Sequence, residues 1–386
     1  MSTLLQPLDS RPGGGRYLPA TPGTVLWGEL PCAGDDPVLT IDPGETVVID
    51  TVSHEGILED QGRDPAAFFA SHGITEVLRD AVAVAAEVPH DPAVHGPHVV
   101  TGPIRVRGTR PGDVLSMTVL DLRMRADYGI VSSRHGRGAL PEEFPLEGAP
   151  VTSILARVEP MPDGGARRGG RPALGGPHRS RRHANLGEVG RRLARTSMGS
   201  MPVGPGDARR VRFPLAPFLG TMGVAVAGSE RAHSVPPGPH GGNVDVSLLT
   251  VGSTLHVPVQ VDGALAYVGD PHYAQGDGEV ALTAFEAPLR ASVRFDVIPA
   301  AHLPRPGELW AETPDLLVPI GLDPDLNVAM RAAVRSAVVL LTDLGMRPEH
   351  AYAYLSAAGD FAVSQVVDRV CGVHGKIRKA DLAELA

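Results

Sequence analysis

One local pattern occurs twice in the first third of the chain and restricts the fold more than any other feature. The apolar run Val38-Leu39-Thr40-Ile41 meets the turn Asp42-Pro43-Gly44-Glu45 and continues as Thr46-Val47-Val48-Ile49-Asp50. Gly102-Pro103-Ile104-Arg105-Val106 then leads through Arg110-Pro111-Gly112-Asp113 to Val114-Leu115-Ser116-Met117-Thr118-Val119-Leu120. Proline presets one turn dihedral and glycine accepts the positive one. Strand, Pro-Gly-acid turn, strand, twice over, predicts a β-sandwich of jelly-roll type. Thr24-Val25-Leu26-Trp27 reads as a further strand, and strands resume from Val211 to about Val297. With 46 glycines, 37 prolines and no collagen-like period, the chain is turn-rich. Aromatic residues are only 4%, so the core must rest on Val, Leu, Ala and Pro.

Helical spacing is confined to fewer places. Residues 65–87 carry Phe68, Val77, Leu78, Val82 and Ala85 at helical intervals. Met330, Val334, Ala337, Val338, Leu341 and Leu344 predict a helix stopped by Gly345. Pro348 can start the next, with Ala351, Leu355 and Ala358, and a third is expected over Ala362 to Val370. The length of 386 residues suggests two or three domains. The expected division is a β-sandwich over 1–159, a Gly/Arg-rich insert over 160–206, a β-rich part over 207–300 and a helical, α+β region over 301–386. The insert contains Arg-Ser-Arg-Arg-His and little apolar period, which reads as an exposed loop.

A net charge of −9 argues against a general nucleic-acid binder. The first fifteen residues lack the apolar core of a signal peptide, and no run of about 18 apolar residues suggests a membrane span. A cytoplasmic protein is expected. Two cysteines, Cys32 and Cys371, cannot make a disulfide framework or a four-thiolate zinc site.

The basic residues limit the chemistry. The only lysines are Lys376 and Lys379, read here as part of a tail after the last helix. A buried lysine base of the Ser–Ser–Lys or Cys–Glu–Lys kind is therefore hard to place, and no G-x-S-x-G elbow occurs. The densest polar cluster follows the apolar strand Ala264 to Val268: Gly269-Asp270-Pro271-His272-Tyr273-Ala274-Gln275-Gly276-Asp277-Gly278-Glu279. Its three glycines allow tight bending, and Asp270 and His272, two residues apart, can face one site. That donor pair suits a divalent ion such as Zn²⁺. Asp and Gly also make ordinary surface turns, but such turns rarely need His and Gln. The segment Pro239-His240-Gly241-Gly242-Asn243-Val244-Asp245 suggests close approach of backbone to a ligand, or equally a self-capped hairpin. His54 and His98 are further candidate ligands, though a lone His is commonly just a hydrogen-bonded residue.

Several segments, in order, resemble the acetamidase/formamidase family. They are Thr101-Gly102-Pro103-Ile104 with Arg110 to Leu115, Pro217-Phe218-Leu219-Gly220-Thr221-Met222-Gly223-Val224-Ala225, Gly241 to Asp245, Gly263-Ala264-Leu265, Gly269 to His272 and Gln275 to Glu279. The resemblance spans roughly residues 24–121 and 211–375. It implies a β-sandwich, a small β-barrel and an α+β C-terminal part. It also implies homo-oligomers, a homodimer or larger, and hydrolysis of short-chain amides to a carboxylate and ammonia, with divalent metal near these acids and histidines.

The expected chemistry is metal-assisted hydrolysis of a small linear amide. Asp270 and His272, with His54 or His98, would hold the ion, Zn²⁺ in first place and Ca²⁺ in second. Glu279 would be the general base, with Asp277 and Glu286 as rivals, and Asn243, Asp245 and Gln275 would orient the amide. Two other readings remain: a hydrolase of the same fold acting on another C–N or ester bond, and a non-catalytic sandwich binding metal or carbohydrate.

Overall fold

The computed structural model describes residues 4–8, 15–160 and 197–385. Two large sheets dominate it. The first has nine strands in the order Arg16–Leu18, Thr46–Asp50, Leu289–Ile298, Val114–Met124, Thr254–Pro258, Trp310–Glu312, Leu316–Asp323, Cys371–Arg378, Asp360–Gln365. The second has eleven. Its middle is Ala266–Ala274, paired antiparallel with Phe218–Gly223 and with Val99–Val106. Leu39–Ile41 lies parallel to Val99–Val106, and Val25–Trp27 lies antiparallel to it.

The two Pro-Gly turns do not close hairpins. Leu39–Ile41 belongs to the second sheet and Thr46–Asp50 to the first; Val99–Val106 belongs to the second and Val114–Met124 to the first. Each turn hands the chain across the sandwich. The buried cluster between the sheets shows the result. Ile41, Ile104 and Val106 from one sheet meet Val47, Leu115, Met117, Val119, Val293 and Phe295 from the other. Aliphatic side chains alternating inward along each strand are what brings two sheets face to face.

The C-terminal part is α+β. Helix Leu326–Asp343 is capped by the Asp325 carboxylate, which accepts from Asn327 N and Val328 N, and helix Pro348–Ala358 begins on its proline. The first helix buries Ala329, Ala333, Ala337 and Leu340 rather than Met330, which is 39% exposed. The buried face is thus turned toward small residues, because the helix crosses Gly321 so closely that a Cβ there would meet the Ala329 carbonyl and the Ala333 amide. The expected single run over 65–87 is two helices, Pro65–Ser71 and Arg79–Glu87, separated around Gly73 at φ 76°.

The helix expected over Ala362 to Val370 is absent. Asp360–Gln365 is a strand, antiparallel to Cys371–Arg378. Val363 is stiff at χ1 and favours extended backbone, and the open edge of the first sheet offers it a ladder position opposite Val373, while Val366, Val367 and Val370 lie in the loop that follows. Lys376 consequently lies on a strand, not in a tail. The Gly/Arg-rich insert lies for its greater part, 161–196, outside the described residues. Its last residues include the strand Ser197–Pro202, which pairs with Val151–Pro160. No helix among the described residues is long and apolar enough to cross a membrane.

A buried ion network fixes one corner of the sandwich. Arg125 is fully buried and donates to Asp80 Oδ2 at 2.7 Å and to the Thr51 carbonyl at 3.0 Å. Asp50 lies 3.5 Å from Arg125 Nη2 and accepts two bonds from Arg290. Truncating one partner of such a group leaves a charge buried alone. Arg125→Met should therefore lower the unfolding free energy by about 3–5 kcal/mol, read as a fall in the urea midpoint at constant slope.

Candidate metal and amide-binding site

Strand Ala266–Ala274 is the spine of the site. Its register shifts twice, once against Val99–Val106 and once against Phe285–Glu286, and such bulges re-aim side chains. Asp270 and His272 both point to one buried spot, where they meet Glu286 from the neighbouring strand. His272 Nε2 lies 3.1 Å from Asp270 Oδ2 and 3.0 Å from Glu286 Oε1. His54 reaches the same group from the segment after Thr46–Asp50, with Nδ1 3.3 Å from Asp270 Oδ1. His98, at the start of Val99–Val106, meets the His54 ring edge to face at 5.3 Å between centroids. From the loop after Gly241–Asn243 comes Asp245, whose carboxyl stands near His272 and Glu279.

Close packing makes this convergence possible. A Cβ on Gly220 would sit 2.7 Å from Asp270 Oδ2 and 2.8 Å from His272 Cε1, so only glycine leaves room. Backbone strain is concentrated here as well. Asp245, Asp270 and Glu279 all have left-handed backbone, at φ 45°, 48° and 48°. Each such residue costs about 1–2 kcal/mol. Strain of this kind persists where the surrounding structure imposes it, and it clusters at functional sites.

The electrostatics are dominated by buried carboxyl groups: Glu55, Asp245, Asp270, Glu279, Glu286 and Asp368. Burial, with the Asp245 carboxylate next, pushes Glu279 well above the ordinary carboxylate range. Burial raises Asp245 and Asp368 likewise, helped by the Asp368 charge in the first case and the Glu279 charge in the second. Asp270 goes the other way, since His272 and His98 outweigh its burial. Burial works against a charged His54, but the Asp270 and Glu55 carboxylates prevail and raise its pKa to about 10. His98 is pushed down to about 4, chiefly by burial, and is neutral at pH 7. Its Nδ1 lies 3.2 Å from the Ser234 carbonyl, so Nδ1 carries the proton and Nε2 presents a lone pair.

Several buried atoms in this centre have no hydrogen-bond partner: His54 Nδ1, Asp245 Oδ1, Asp270 Oδ1, His272 Nε2 and Glu286 Oε2. Three of them (His54 Nδ1, Asp270 Oδ1 and His272 Nε2) have a charged neighbour within 3.3 Å but not in hydrogen-bonding geometry, and a cation among the five would satisfy them together. Two groupings, His54/His98/Asp270 and Asp270/His272/Glu286, have ligand atoms all within 4.8 Å of one another, and so does Asp245/His272/Glu279. The residues fit a divalent cation.

A cavity of about 420 Å³ opens onto the centre, lined at its floor by His54, His98, Asn243, Asp245, Asp270, Glu279, Glu286 and Asp368. Thr221 Oγ1 donates to Asn243 Oδ1 at 2.7 Å, which leaves the Asn243 amide nitrogen as the available donor. Two expected site residues lie elsewhere. Gln275 does not line this cavity: its Oε1 accepts from His272 Nδ1 at 3.1 Å, and its nitrogen donates to the Asp245 and Ser364 carbonyls. Asp277 faces Ser247 and Lys376 instead, at 2.9 and 3.1 Å. Both border a neighbouring cavity of about 380 Å³, and Glu279 forms the wall between the two.

Sequence reasoning missed Glu55 and Asp368. Glu55 accepts from Ser132 and Arg134 at 2.7 and 2.9 Å and lies 3.4 Å from His54 Nε2, so it orients that ring. Its adjacency to His54 was the one available signal. Asp368 is brought in by a loop that the Gln365 side chain ties down, accepting from Val367 N and Asp368 N and donating to the Val370 carbonyl.

The β-sandwich gathers acids and histidines along its inner edge, around a small cavity, in three groupings that could hold a metal ion. Residues 214–374 match the model described as the Acetamidase/Formamidase family. The chain is 32% identical over 214 residues to an acetamidase of Mycolicibacterium smegmatis, covering 47% of this chain and 49% of that protein. It is 28% identical over 212 residues to a formamidase of Methylophilus methylotrophus, covering 47% of each. The chain thus spans about half the length of the curated relatives it matches. The fold likeness is wider: an acetamidase structure from Bacillus halodurans aligns with 96% of this chain and 99% of its own, at TM-score 0.66 and 23% identity. Gly220→Ala should keep the β-sheet circular dichroism while weakening Zn²⁺ binding about 10–100-fold in a competitive chelator titration.

Proposed function

We propose that this chain is an amidohydrolase that cleaves small linear amides to a carboxylate and ammonia with the help of a bound divalent ion. One observation carries the reading: unsatisfied buried atoms of His54, Asp245, Asp270 and Glu286 belong to residues that line the floor of a cavity of small-molecule size, and His272 Nε2 lies directly behind them, 3.1 Å from Asp270 and 3.0 Å from Glu286. The acetamidase and formamidase names of the matched relatives point to the same chemistry.

His54, His98, Asp270, His272 and Glu286 are the ligands in this reading. Three imidazoles among them favour Zn²⁺ over Ca²⁺, which prefers a cage of oxygens. Such an ion supplies Lewis acidity toward the amide carbonyl and lowers the pKa of water.

The chain's own residues supply the rest. The Asn243 amide nitrogen donates to the substrate oxygen. Gln275 holds His272 in one tautomer, with Nε2 toward Asp270 and Glu286. Glu55 does the same for His54. Glu279, on the wall of the cavity, takes the proton from the attacking water and returns it to the leaving nitrogen. Asp277 is a positioning residue, tying the Glu279 loop to Lys376. A homodimer or larger homo-oligomer, implied by the family resemblance, completes the proposal and is read by light scattering.

Two experiments test it. Dialysis against a chelator should abolish ammonia release from acetamide and formamide, and Zn²⁺ should restore it. Full activity in protein free of divalent ions overturns the mechanism. Glu279→Gln keeps shape but removes the base, so kcat should fall by about 10²–10⁴ with KM changed little. A near-normal kcat with a lowered melting temperature would assign Glu279 to structure alone.

A further inference from the structure

The mouth of the cavity has a charge opposite to that of its floor. Arg134, Arg137, Arg369, His95 and His233 line it, together with the acids Glu59 and Asp60. Those acids are already engaged. Glu59 meets Arg63 at 3.2 Å and His90 at 2.8 Å, and Asp60 takes Arg134 at 2.6 Å. Among the described residues, no hydrogen bond or ion pair engages the guanidinium of Arg137 or of Arg369, and both residues are exposed. The two stand close enough to His233 that their charges, after burial, lower its pKa.

Both arginines are fixed to the elements that supply the floor. Arg137 sits in a turn pinned to the Glu279 loop, where Ala139 N donates to the Val280 carbonyl at 2.9 Å. Arg369 follows Asp368 directly, in left-handed backbone at φ 63°, on the loop that Gln365 organises. Consecutive residues therefore point opposite ways, the acid into the floor and the cation to the mouth. An exposed arginine without such a role has no need of a strained conformation. Formamide and acetamide carry no anionic group for two guanidinia to bind.

From this we infer that the cavity selects amides whose far end is anionic, so that the substrate class is the mono-amide of a short dicarboxylate. Arg137 and Arg369 grip the carboxylate, a planar anion that guanidinium matches with paired charge-assisted hydrogen bonds. The amide end meets the floor. Hydrolysis adds water across the C–N bond and gives the dicarboxylate and ammonium. The inference rests on the amidohydrolase reading.

The test measures ammonia release from mono-amides of short dicarboxylates of graded length, each beside the neutral amide of equal length. The metal-loaded full chain should prefer the anionic member of a pair by about tenfold or more in kcat/KM, mostly through KM. Arg137→Gln with Arg369→Gln should bring that ratio close to one. Equal kcat/KM in every pair, or a preference that survives the double substitution, overturns the inference and leaves the amidohydrolase reading intact. If no amide is cleaved, that reading fails, and calorimetric titration with the same mono-amides judges the mouth by itself. Binding lost in the double variant supports the ligand class; no binding to the unaltered protein overturns it.

Discussion

Like-charge crowding is the constraint on which the rest of this molecule depends. Asp245, Asp270, Glu279, Glu286 and Asp368 share one buried region, and water cannot screen them there. Left alone, such a group would expand or protonate, and the upward shifts of Asp245, Glu279, Glu286 and Asp368 reflect first their burial and then the carboxylates beside them. What contains it is a frame that cannot relax easily. Strands of the second sheet carry Asp270 and Glu286 on adjacent ladders, and Gly220 lets the next strand approach without a side chain between.

The frame is itself anchored by charge. Asp50 ends a strand of the first sheet and accepts from Arg290 and Tyr17, while its carbonyl accepts from Thr101 of the second. Thr51 then bonds to both the amide and the carbonyl of Leu289. Four residues after Asp50 the chain delivers His54 to the centre. The ion network at Arg125 and Asp50 therefore works less as a source of stability than as a fixed origin for the short segment bearing His54 and Glu55.

How much of this could be read in the sequence varies with the residue. The sandwich was legible because Pro-Gly-acid turns flank period-two apolar runs, and the helix ending before Gly345 because its spacing is unbroken. The 269–279 segment drew attention through its density of Asp, His and Gly. Within it, spacing could not tell which side chains share a cavity: Glu279 lines it, whereas Asp277 turns to Lys376. That partner was hidden because Val-rich sequence before Cys371 also satisfies a helical count, and only pairing at the sheet edge decides for strand. Asp368 was invisible for the same reason. Long-range neighbours of this sort leave no local trace.

The turns that pass the chain between sheets also set how the molecule must be assembled in time. Asp50 meets Arg290 across 240 positions of sequence, and Leu289–Ile298 ladders onto both Thr46–Asp50 and Val114–Met124. Local hairpins such as Trp310–Glu312 with Leu316–Asp323 can form early, but the ladders that join Thr46–Asp50 and Val114–Met124 to Leu289–Ile298 need large loops to close first. Folding is correspondingly slow, and strands awaiting distant partners keep open edges meanwhile. The arrangement that gathers far-separated acids into one chamber thereby leaves strand edges of the nascent chain open to association until its last ladder closes.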